Sequence, residues 1–213
     1  MAKAKYPALI LAVSGYLKDK GFRQKALGFN RAGADSECTE VVTIQRGVRR
    51  LVGKFTIELG IYVPKINSLA NPNLSIPTFP LAINCTFRER LSKLAGWKDT
   101  WWTSEKSEDY TEIVLLIERF GLAFLERWNS RERIIQNLLE DRQDGRASHD
   151  SFSTVAIFND AGMKVEAGKI LQGIYLDLQA RNIGTDAATA LADRLNIKLE
   201  KSKPNMEYPP FEE

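Results

Sequence analysis

Phe55, Ile57, Leu59, Ile61 and Val63 occupy every second position, opposite Thr56, Glu58, Gly60 and Tyr62. Such alternation marks a strand with one buried face. A chain built around it must make a sheet and must cover it. Weaker alternations flank it. Leu27, Phe29 and Arg31 form one, Val41 to Gln45 is rich in β-branched residues, and Ile83, Cys85 and Phe87 repeat the pattern. Short links between the first three runs predict a four-stranded antiparallel meander. The stretch from Pro64 to Pro80 holds four of the eight prolines and reads as a long exposed loop.

Elsewhere the period is helical. Pro7 suits a first turn, Leu9, Ile10, Val13 and Leu17 share a face, and Gly21 is a C-terminal stop. A helix is therefore expected from about Pro7 to Lys20. Ile113, Ile117, Phe120, Phe124 and Trp128 lie three or four apart, with Val114, Leu115, Leu116, Leu122 and Leu125 on the other faces. That pattern predicts a central helix buried nearly all round. Ile134 to Leu139 marks another helix. Further helices are expected over Phe152 to Asp160, Lys164 to Arg181 and Thr185 to Asn196, with Thr185 as a cap. The order of elements argues for an α+β fold, an N-terminal helix on the meander followed by a helical C-terminal half. Residues 1–142 would form the α+β domain. Residues 143–200 would be a helical extension, packed on it or bundled by itself, and 201–213 an extended tail.

Composition narrows the function classes. The 213 residues carry 30 basic and 27 acidic side chains, too even a balance to demand a polyanionic partner. Two cysteines, Cys38 and Cys85, make no disulfide framework. No apolar run approaches the roughly 20 residues of a membrane span, and the N-terminus lacks the long apolar centre of a signal peptide. A cytoplasmic protein without membrane contact is expected.

Three of the four tryptophans, Trp97, Trp101 and Trp102, fall within six residues. Side chains this large are normally kept from water, so the segment is expected to plug helices onto the sheet. The Trp pair also closes a series of motifs. Gly21-Phe22-Arg23 follows the first helix, Val42-Thr43-Ile44-Gln45 and Phe55 to Tyr62 lie on strands, and Arg88-Glu89-Arg90-Leu91 precedes Asp99-Thr100-Trp101-Trp102. This order resembles the bacterial family catalogued as domain of unknown function 4304, over roughly Lys3 to Leu139. The resemblance implies an α+β fold and a bacterial cytoplasmic origin. It transfers no activity, cofactor or catalytic residue.

The residues themselves offer few chemistries. His149, the only histidine, sits in a polar loop sequence and is read as solvated. Two cysteines and one histidine, scattered, cannot make an ordinary zinc site, so no metal or cofactor is expected. Gly47 to Phe55 imitates a phosphate loop, but it has one spacer too many, Phe55 replaces the hydroxyl residue, and it joins two strands. It reads as a hairpin with a basic tip: Arg46, Arg49, Arg50 and Lys54. Asp99 is expected to pair with Arg88 or Arg90 and fix the Trp segment.

No catalytic set is complete. The expected function is therefore non-catalytic protein binding, of the kind an immunity or accessory protein performs when it occludes a toxin or an enzyme. Two alternatives stand beside it. One is a hydrolase acting on a phosphate or nucleotide through Asp99, Glu58, Arg88 and Arg90. The other is nucleic-acid binding through Arg46, Arg49, Arg50 and Lys54 with the aromatic Tyr62.

Overall fold

The computed structural model describes residues 7–103, 108–144 and 151–200. The chain divides into two compact units, residues 1–146 and 147–213.

The first unit opens with α1 (Pro7–Asp19). Gly21 ends it at φ 84°, a backbone angle that costs glycine nothing. Its amide donates to the Lys18 carbonyl, and Phe22 N–H reaches back to Leu17. The sheet follows: β1 (Arg23–Lys25), β2 (Gly28–Ala32), β3 (Thr39–Arg46), β4 (Lys54–Tyr62) and β5 (Phe87–Arg90), antiparallel in sequence order. A two-residue β6 (Trp102–Thr103) pairs with β4 beside Lys54 and Phe55. The α+β architecture is as expected, with six strands among the described residues in place of four. β1 and β6 are too short to leave a period. Ile83 and Cys85 are not in a strand: Ile83 lies in a 3-10 turn (Ala82–Asn84), and pairing begins at Phe87. The segment after Pro64 is not all loop either. Pro64 opens α2 (Pro64–Ala70), which buries Ile66 and Ala70.

Register assigns every strand residue to one of two faces. Phe29, Val42, Ile44, Phe55, Ile57, Leu59, Ile61 and Phe87 share one. Helices cover it. α4 (Glu108–Leu116), a π-helical turn (Ile117–Gly121) and α5 (Leu122–Trp128) form one continuous rod. The π turn brings Gly121 against β4, where a Cβ would stand 2.8 Å from Leu59 Cδ2. Trp128 stacks on Phe87 at 5.0 Å, and Ser14 of α1 donates to Gln24. This rod is amphipathic rather than buried all round. Ile113, Leu116, Ile117, Leu125 and Trp128 are buried, but Leu115 is 57% exposed. α6 (Arg131–Gln143) completes the unit; Ser130 caps it by accepting from Arg133 N–H.

Asn30, Val41, Thr43, Gln45, Thr56, Glu58, Gly60, Tyr62, Arg88 and Arg90 share the opposite face. Irregular chain covers it. Leu81 and Phe79 lie over Gly28, Ala82 N–H donates to Thr43 Oγ1 at 2.9 Å, and Cys85 packs on Gly60. Asn67 of α2 braces this cover by bonding Asn84 and Thr86.

The second unit holds α7 (Phe152–Asp160), α8 (Lys164–Ala180) and α9 (Asp186–Leu195), which pack on one another. Val155, Ile157 and Phe158 of α7, Ala167, Ile170, Leu171 and Tyr175 of α8, and Ala188, Leu191 and Leu195 of α9 are buried. Thr185 precedes α9, but its side chain makes no capping bond. Among the described residues no helix is long and apolar enough to cross a membrane.

Candidate functional site

A break in the sheet edge creates the site. β5 pairs with β4 from Ile61 to Glu58, and β6 pairs with it again at Phe55 and Lys54. Between them the chain leaves through α3 (Leu91–Leu94) and returns along residues 95–101. Ser92 holds this excursion: its carbonyl accepts from Trp97 N–H and its hydroxyl from Thr100 N–H. Thr100 then seals Thr56 by accepting from its hydroxyl at 3.2 Å. A cleft of about 220 Å³ is left at this edge, lined by Glu58, Arg88 and Arg90 of the loop-covered face together with Glu89, Lys93 and Asp99.

The four side chains proposed for carboxylate–arginine chemistry thus meet at one place. Glu58 and Arg90 are cross-strand partners. Arg90 Nε donates to Glu58 Oε1 at 3.4 Å, and Nη1 donates to Asp99 Oδ2. The pair expected for Asp99 is with Arg90, not Arg88. Burial works against the Arg90 charge, but the Asp99 and Glu58 carboxylates outweigh it and raise the guanidinium pKa. Glu89 Oε1 accepts the Arg90 amide and lies 3.8 Å from Lys93 Nζ. Arg88 alternates with Arg90 along β5 and makes no hydrogen bond or ion pair among the described residues. Lys93 was not singled out from the sequence, and Glu89 was named only as part of Arg88-Glu89-Arg90-Leu91, not as a site residue. Their i,i+4 spacing was visible, but nothing in it pointed to a cleft.

The tryptophans divide between the faces, because successive residues of an extended chain point to opposite sides. Trp102 is buried and stacks on Phe55 at 6.2 Å. Trp101 packs under Arg90, with the guanidinium 5.3 Å from the ring centroid. Trp97 is exposed. One ring of the three is thus the expected plug, and a second supports the cleft's central cation.

The basic hairpin lies at the Lys54 end of β4. Arg46, Arg49, Arg50 and Lys54 are all exposed. A 3-10 turn (Arg49–Leu51) forms the tip, with Arg49 at φ 54° and Gly53 at φ 90°. A Cβ on Gly47 would collide with the Leu51 carbonyl oxygen, so the turn closes tightly. Val48 and Val52, 70% and 63% exposed, stand among the arginines. These valines were also missed; alternation of valine with arginine around two glycines was the available signal. Tyr62 does not join them. It sits at the other end of β4, is 3% exposed, and lies beside Cys85. An eight-residue rise separates it from Lys54, about 26 Å.

Neither cysteine is poised to react. Burial pushes both thiols far up, with Asp35 adding to the effect at Cys38 and Arg88 opposing it at Cys85. Among the described residues no group of His, Cys, Asp and Glu could hold a metal ion. His149 lies outside the described residues.

The family described as Domain of unknown function (DUF4304) matches residues 13–122, and the chain belongs to it. That span runs from α1 through the whole sheet to the π turn. No curated protein and no solved structure matches the chain.

Proposed function

We propose that this protein is a bacterial, cytoplasmic binding module that occludes a toxin or an enzyme and catalyses nothing itself. The contact is the tip of the β3–β4 hairpin, and the partner surface is acidic with apolar recesses. The observation that carries this reading is the tip itself. Four cations and two aliphatic side chains stand exposed on a turn held by Gly47, Gly53 and the left-handed Arg49. A pre-formed tip loses little entropy on docking, and its charge steers association with an acidic partner.

Capture from the native host, then purification of the captured protein, tests this. The R49E/R50E double variant should bind that protein at least about tenfold more weakly, and added salt should weaken the wild type. A partner indifferent to the double charge reversal would remove the proposal.

One observation favours a second reading. Glu58, Asp99, Arg88 and Arg90 line a single cleft, the arrangement a hydrolase of a phosphate or nucleotide would need. Turnover of such substrates by the wild type, abolished in E58Q/D99N, would establish it. Turnover that survives in that variant would dismiss it. The nucleic-acid reading is weakened, because the buried Tyr62 offers no base a stacking platform.

A further inference from the structure

We infer that the cleft beside Glu58 is a binding site for a small zwitterion, of the class of free α-amino acids. The inference stands apart from the hairpin contact and names a ligand different from a phosphate. Three observations carry it.

Size comes first. The cleft is small, about 220 Å³. That suits a small amino acid.

Charge balance comes second. The lining sets three carboxylates, Glu58, Glu89 and Asp99, against three cations, Arg88, Arg90 and Lys93. A phosphate entering here would meet Arg88 but also the carboxylates, and a simple ammonium ion would meet the guanidinium groups. A molecule carrying both poles is repelled by neither.

The unused hydrogen-bonding groups come third. Arg90 is engaged by Glu58, Asp99 and the Trp101 ring, so it serves as the brace between the two acids. Glu89 spends one oxygen on the Arg90 amide. Arg88 remains with its whole fork of donors unpaired among the described residues. Glu58 Oε2 and Asp99 Oδ1 likewise accept no hydrogen bond among the described residues. Glu58 is held nearly out of water, its side chain 13% exposed, where a charged contact counts for more than at the open surface. The free fork of Arg88 matches a carboxylate in bidentate geometry. The free oxygens of Glu58 and Asp99 match the three donors of an ammonium group. All these residues stand on paired strands or on the excursion pinned by Ser92, so the poles are fixed before a ligand arrives.

Titration of the isotope-labelled full chain, followed by amide NMR, tests the inference. The probes are the twenty free L-amino acids, with acetate, methylammonium and inorganic phosphate beside them. At least one amino acid should give saturable shifts at Arg88, Arg90 and Asp99 at millimolar concentration. Acetate and methylammonium should bind at least about tenfold more weakly, having lost one charged contact each. Arg88 is exposed, so R88Q should fold normally and lose about tenfold in affinity, whereas R49E/R50E should leave the titration unchanged. Three results would overturn the inference: no saturation with any amino acid, phosphate binding more tightly than all of them, or wild-type affinity in R88Q.

Discussion

The two faces of the sheet solve the same burial problem in opposite ways. One carries Phe29, Val42, Ile44, Ile57, Leu59 and Ile61, all 1% exposed or less, and helices lie on it. The other carries Asn30, Thr43, Gln45, Thr56, Glu58 and Arg90, and irregular chain lies on it. An apolar face needs only area and close packing from its cover. A polar face needs partners for each donor and acceptor, and backbone in loops can supply them one at a time. Ala82 N–H on Thr43 and the Thr100 carbonyl on Thr56 are such partners. The supply is incomplete: Asn30 Oδ1 and Gln45 Oε1 are buried without a hydrogen bond in the structure. A cover made piecemeal also leaves gaps between its pieces, and the cleft is one of them. The helix-covered side also holds an ion pair, Arg31 with Glu40, but the cleft opens where the loop cover over Glu58, Arg88 and Arg90 is broken.

Paired substitutions across β4 would break this contrast if it is wrong. Leu59→Ala removes side-chain atoms wedged between the π turn and the sheet, and should cost about 2–5 kcal/mol in denaturant unfolding. Thr56→Val, equally buried but on the other face, gives up one hydrogen bond and should cost only about 1 kcal/mol. Equal losses would mean the loops pack as firmly as the helices. Arg90→Ala comes next. It leaves Glu58 and Asp99 facing each other without their brace, for about 1–2 kcal/mol after solvent screening. Trp101 fluorescence should shift as the ring loses its cation. Arg90→Lys should not restore it, because an ammonium cannot span both carboxylates and the ring.

The smallest effect is a slope with pH. Burial raises the Cys38 thiol, helped by Asp35, Glu37 and Glu40. In the folded protein the proton stays on, while the unfolded chain releases it at about pH 8.5. Above that pH the native state binds more protons, so this stability is full below about pH 8.5 and falls as pH rises further. Cys38→Ala should flatten the alkaline limb of a stability–pH curve; an unchanged limb would place its origin elsewhere, with Cys85 the next thiol to test.

How much of this was legible in the sequence follows the same division. The helix-covered face wrote itself as alternation in Phe55 to Val63, and the first helix as Pro7, its apolar stripe and Gly21. The loop-covered face left almost no pattern. β1 is Arg23-Gln24-Lys25 and β6 is two residues, both below the length at which a period exists. α2 was hidden among prolines, although Pro64 at its first turn signalled it. The candidate acids and arginines could be named one by one. Their meeting could not be read, because it depends on Glu58 pairing with Arg90 across 32 residues and on the excursion that returns Asp99. Burial of Tyr62 was hidden for the same reason: its neighbour Cys85 arrives from a segment without periodicity.

The sheet's open flanks carry a further consequence. At one flank β1 spans three residues, two of them cationic. At the other, β5 spans four and places Arg88, Glu89 and Arg90 in sequence before the chain turns away. A stray strand docking on either side would find few free backbone groups and a row of fixed charges to desolvate. The same interruption that opens the cleft therefore guards the molecule against edge-to-edge polymerisation.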